Sequence, residues 1–89
     1  MKDTETIRKV YYYSKEEFYE YLINLDSYKE IRQRRNEKEE LLENCLSKTD
    51  YKLFDEYITC ENEMTSLLQE EAFIKGFQFA NKLIIESLK

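Results

Sequence analysis

The sequence predicts an all-α protein: an antiparallel, coiled-coil-like helical hairpin with a short N-terminal helical arm, a small bundle completed by dimerisation. Three observations predict this. The chain has no proline and one glycine in 89 residues, so little punctuates it into strands and tight turns. Apolar residues recur at helical spacing near both ends, and a heptad stripe runs through the second half. A chain this short buries only about 60% of its unfolded surface, so stability calls for long helices or for association.

The expected organisation is one helical domain over residues 1–89, with an arm over 1–13, a first long helix over 14–47 and a second over 50–88. Ile7, Val10 and Tyr11 make the short apolar face of the arm. Ser14 followed by Glu17 is a capping-box pattern, and it opens a piece with Phe18, Tyr21, Leu22 and Leu25 on one face. Ser27 with Glu30 repeats the signature, which places a break near residue 26. From Arg32 to Glu40 every residue is polar, so that stretch offers a core only the stems of its long side chains. Ser47, Lys48 and Thr49 read as the hairpin connection, with Thr49 or Asp50 capping the next helix.

The second long helix carries Leu53, Tyr57, Cys60, Met64 and Leu67 at alternating spacings of four and three. Beyond it, Phe73, Gly76, Phe77, Ala80 and Ile84 gather on another face, about 160° away at 100° per residue. Either a kink or break over 65–71, where Ser66 and Gln69 offer a further cap, reconciles the two faces, the reading we favour, or one straight helix serves two partners on opposite sides. Ala72, Gly76 and Ala80, four apart, stack into a ridge that lets another helix approach closely. A mid-helix glycine costs roughly 1 kcal/mol against alanine, so Gly76 calls for a contact that offsets it. The helix-packing candidates are therefore Ala72, Phe73, Gly76, Phe77, Ala80 and Ile84. Ile74 and Ile85, eleven apart and outside that face, are candidates for a second, exposed contact surface for a partner.

Charge speaks to register and to function. Lys29 to Lys38 holds five bases and two acids, whereas Asp55 to Glu71 holds six acids and no base. A hairpin turning near Lys48 sets these segments side by side, with Arg35 level with Glu61 and Arg32 level with Met64. Arg32, Arg34 and Arg35 are the candidate phosphate contacts, but neighbouring acids and a net charge of −5 argue against nucleic-acid binding. The tyrosines read as packing residues, since no basic groove accompanies them. With no histidine and only two cysteines, fifteen apart, no metal or cofactor is expected. No nucleophilic triad or glycine-rich phosphate loop is present, so neither an enzyme nor a small-molecule substrate is expected. Cys45 and Cys60 read as reduced thiols, too far apart along a hairpin to bridge. The chain start has no apolar signal core and no stretch approaches a membrane span, which points to the cytoplasm and to no membrane partner.

The run Glu71, Ala72, Phe73, Ile74, Lys75, Gly76, Phe77, Gln78, Phe79, Ala80, then Leu83 and Glu86, resembles the ending Glu-x-Phe-x-x-Gly-Phe-x-x-Gly/Ala-x-x-Leu-x-x-Glu of a family of short helical proteins of unknown function from Gram-positive bacteria and their mobile elements. Ile7, Val10, Tyr11 and Tyr12 are similar to that family's N-terminal Leu-x-x-Leu-Tyr-Tyr-Gly, with Tyr13 in place of the glycine. The resemblance implies a helical fold and a phage or plasmid setting. The expected role is a protein–protein interaction module that is a homodimer with a further protein partner. Two alternatives stand beside it: an acidic decoy that occupies a nucleic-acid-binding host protein, motivated by Asp55 to Glu71, and a DNA-binding accessory factor using Arg32 to Arg35.

Overall fold

A computed structural model of the chain describes residues 2–89, and its side chains from residue 4 onward. The protein is all-α. Three helices, α1 (Lys2–Ile23), α2 (Asp26–Cys45) and α3 (Lys48–Ser87), follow one another with two-residue joints, and no strand occurs among the described residues.

The joints explain where the helices end. Asn24 and Leu25 separate α1 from α2: their amides fall back on Tyr21 and Leu22 in tight i→i−3 bonds, and the Asn24 side chain donates to the Glu20 carbonyl at 2.6 Å. Leu25 is extended, at φ −64° and ψ 134°, and Asp26 opens α2 where a carboxylate suits the helix dipole. The expected break near residue 26 thus falls at Asn24 and Leu25, and the Ser27–Glu30 signature sits inside α2. At the second joint Leu46 is extended and Ser47 Oγ accepts the Asp50 amide at 3.1 Å. Ser47, rather than Thr49 or Asp50, is the residue whose side chain caps α3.

Two other expected boundaries are absent. The arm expected over 1–13, whose first residue lies outside the described ones, does not end at Tyr13; α1 runs through it. Ser14 Oγ donates to the Tyr11 carbonyl at 2.8 Å, so the hydroxyl bonds back into the helix it was expected to restart. Likewise α3 is unbroken through 65–71. The two expected apolar faces therefore point in different directions along one continuous helix.

The packing forms two compact units, Met1–Glu17 with Glu63–Lys89, and Phe18–Asn62. In the second unit α2 and the start of α3 make the antiparallel hairpin. Leu42 and Glu39 share a groove with Tyr51 and Phe54, and Arg35 with Ile58, pairs that lie equally far from the Leu46–Ser47 joint. Arg35 is therefore level with Ile58 and not with Glu61, because the chain reverses earlier than Lys48. In the first unit α1 and α3 run antiparallel: Ile7 shares a groove with Phe77, while the Tyr11 ring lies 5.2 Å from that of Phe73.

Ile7, Tyr11 and Ile74 are the buried hydrophobic residues among those described, all in the first unit. Ile74 is 2% exposed, which removes it from the partner surface expected for it, whereas Ile85 is 59% exposed. The face of α3 turned toward α1 here is Glu70, Phe73, Ile74 and Phe77, spaced i, i+3, i+4, i+7, with Glu70 and Ile74 buried, Phe73 half-buried and Phe77 at the exposed rim. Relative to the expected face it is rotated toward Glu70, leaving Ala72, Gly76 and Ala80 exposed. Ile74→Ala is expected to cost about 2 to 5 kcal/mol as a cavity at the centre of this contact, and Ile85→Ala to stay within about 0.5 kcal/mol of the parent. Urea midpoints compare the two.

Candidate functional site

The polar centre of the first unit is built around Arg8. Placed between Ile7 and Tyr11 on α1, it is carried to α3 by the burial of those two residues. Its Nη1 lies 2.9 Å from Glu70 Oε2, and its Nη2 lies 3.3 Å from Glu71 Oε1. Glu70 is a buried acid, and its second oxygen, Oε1, is buried without a hydrogen-bond partner. The Tyr12 hydroxyl is held above its ordinary pKa, first by its hydrogen bond to Glu70, then by burial and the Glu70 charge, with Arg8 opposing. Lys15 Nζ stands 5.5 Å from the Tyr11 ring and 5.8 Å from the Tyr12 ring, closing the cluster. A partly desolvated carboxylate needs a cation, and Arg8 supplies one from the facing helix. The arrangement fastens α1 to α3.

In the hairpin unit the candidate phosphate contacts do not converge. Arg32 lies over the Tyr28 ring at 5.6 Å, Arg34 stands beside Glu30 and Glu37, and Arg35 donates to Asn36 Oδ1 at 3.1 Å. The hairpin groove, about 170 Å³, has Leu42, Tyr51, Phe54 and Ile58 as its apolar lining. Burial is the first cause that raises the Tyr51 pKa, followed by the charges of Glu39, Glu43 and Asp55. The expected cross-hairpin ion pairs are absent: among the described residues, the pairs within 4 Å are those of Arg8, and none joins α2 to α3.

Cys45 and Cys60 are free and exposed. No group of three or more His, Cys, Asp or Glu that could hold a metal ion occurs among the described residues. Among the described residues no helix is long and apolar enough to cross a membrane. Of the helix-packing candidates, Phe73 and Phe77 lie against α1 and stack on each other at 6.1 Å, whereas Ala72, Gly76, Ala80 and Ile84 are exposed. A Cβ added at Gly76 would meet no atom within 4 Å, so among the described residues nothing closes on this position of the ridge.

A family model spanning all three helices matches residues 1–87. The chain belongs to the DUF6809 family, a family of unknown function. No curated protein and no solved structure matches it. The family match covers the Arg8 cluster as well as the C-terminal stretch that resembles a family ending.

Sequence reasoning missed Arg8 and Glu70 as a pair, since a charged residue was set outside the apolar face. The signal was the i, i+3, i+4, i+7 spacing that Glu70 shares with Phe73, Ile74 and Phe77. Arg8→Ala is expected to lower stability by about 1 to 2 kcal/mol, less than for a fully buried pair because Arg8 is 37% exposed. Glu71→Ala should cost less, its side chain being 46% exposed. Tyr12 and Tyr51 both titrate above their ordinary value when folded, so their contribution is complete below about pH 10 and is lost as pH rises through the folded values. Urea midpoints measured from about pH 8 to 11 should therefore fall less steeply for Tyr12→Phe with Tyr51→Phe than for the parent.

Proposed function

We propose that the protein is a small helical interaction module, with a binding rather than a catalytic role, and that it works as a homodimer. The observation that carries this reading is the imbalance of its apolar surface. Three hydrophobic residues are buried among those described, while Phe79, Leu83, Ile84 and Leu88 at the end of α3 are each more than half exposed. Exposed apolar faces of this kind mark association surfaces, and a chain of this size gains most from covering them.

The homodimer contact is the face of Ala72, Gly76, Phe79, Ala80 and Leu83. Gly76 supports it: no positive φ requires a glycine there, and among the described residues no neighbour requires its lack of a side chain. A helix of a second copy lying against Ala72, Gly76 and Ala80 would explain the residue. The likeness of the C-terminal stretch to proteins of mobile elements motivates a phage or plasmid setting. Direct nucleic-acid binding through Arg32, Arg34 and Arg35 is not supported by their separate surroundings.

Light scattering of the parent at micromolar concentration is expected to give the mass of two chains. Gly76→Leu should return it to one chain, since a large side chain separates helices in close contact. With open space around Gly76 in the single chain, the same substitution should leave helicity intact or raise stability by up to about 1 kcal/mol. A parent of one-chain mass overturns the homodimer, and a Gly76→Leu protein that remains two chains excludes the ridge as its contact.

A further inference from the structure

We infer that the groove of the hairpin unit is a binding site for a small aromatic zwitterion, a free aromatic α-amino acid. This goes beyond the interaction-module reading and does not rest on the homodimer. All of the lining residues belong to the one unit Phe18–Asn62. The groove follows from the sequences of its two helices. On α3, Tyr51, Phe54 and Ile58 stand at spacings of three and four and line the groove toward α2. Beyond Leu42, α2 answers them with Glu39, Lys38 and Arg35, long side chains whose charged ends keep to water and leave the space over the apolar floor unfilled. About 170 Å³ is open there. An apolar cavity of roughly 150 Å³ is enough to take up benzene. The rings of Tyr51 and Phe54 lie 6.3 Å apart with a tilt of 44°, so an aromatic guest meets two further rings.

The rim decides the head group. Arg35 and Lys38 bring two positive charges to it, and Glu39 and Asp55 bring two negative ones. All four side chains are exposed, and among the described residues none of them is in an ion pair within 4 Å. Lys38 and Asp55 lie equally far from the Leu46–Ser47 joint, so they face each other across the groove without closing on one another. A guest with a single charge is repelled by one of the two pairs. A head group carrying both charges satisfies them together, its carboxylate beside Lys38 and Arg35 on α2 and its ammonium beside Asp55 on α3. Its ring then rests on Phe54 and Tyr51.

Four compounds titrated into the isotope-labelled full chain test this by amide chemical shifts: phenylalanine, phenethylamine without the carboxylate, hydrocinnamate without the ammonium, and leucine without the ring. Phenylalanine is expected to bind in about the millimolar range, to shift the amides of Leu42, Tyr51, Phe54 and Ile58, and to bind at least about threefold more tightly than each of the others. Arg35→Gln with Lys38→Gln should bring phenylalanine down to the affinity of phenethylamine. Asp55→Asn should bring it down to that of hydrocinnamate. Ile58→Trp, at a position 37% exposed, fills the groove with a ring of its own and should abolish binding. Circular dichroism checks that each variant keeps the parent's helicity. No binding, shifts confined to residues outside the groove, or another of the four compounds binding as tightly as phenylalanine overturns the proposal. So does phenylalanine binding that survives Ile58→Trp or is unchanged by the charge substitutions. Failure of the homodimer shows in the parent's mass, and failure of this site shows in the titration.

Discussion

Arg8 reaching Glu70 across the α1–α3 contact is the interaction on which the first unit depends. Ile7, Tyr11 and Ile74 are too few to hold two helices by apolar burial alone, and the face they share includes an acid. Without a cation from the facing helix, burying Glu70 would oppose the packing that buries Ile74. Arg8 reverses that sign, and its second nitrogen meets Glu71 as well. The polar pair and the apolar contact are thus interdependent: Ile7 and Tyr11 carry Arg8 to its partner, and Arg8 lets Glu70 occupy the same face as Phe73 and Ile74.

The hairpin unit is held differently. Its joint is well specified, by the Ser47 side chain on the Asp50 amide and by the Leu46 amide on the Leu42 carbonyl. Its interior is thin. Near the joint Leu42, Tyr51, Phe54 and Ile58 supply an apolar lining, but from Arg32 to Glu40 the facing helix is polar. No ion pair across the hairpin takes the place of the missing apolar contact. Local capping therefore decides where the chain reverses, while much of the apolar surface of α3 stays available to association.

That availability links structure to the proposed role. The ridge of Ala72, Gly76 and Ala80 and the stripe from Leu53 to Leu67 lie on one helix but differ in chemistry. One has small side chains suited to close helix approach, and the other has large side chains edged by carboxylates. In the proposed role, close packing at the ridge would reward a partner of matching shape.

The sequence by itself determined the all-α class, a break near residue 26, a reversal near residues 47–49 and the antiparallel hairpin, since these follow from local causes: helical spacing, the scarcity of glycine and proline, and clusters of small polar residues that can satisfy free amides. It also made the heptad stripe and the ridge legible as faces of α3. What only the tertiary structure decided was which of several apolar faces is buried and which charges meet. Ile74 is buried although periodicity set it outside the main face, because α1 packs on the side of Glu70. Arg8 pairs with Glu70 and Glu71, although charge pattern pointed to the bases of α2, because α1 packs on the face of α3 that carries Glu70. Ser14 and Ser66 carried capping signatures inside continuous helices, since a signature has force only where the chain leaves the helix. Periodicity marks faces on one helix, but the choice between them depends on where other helices lie, and that is a property of long-range packing.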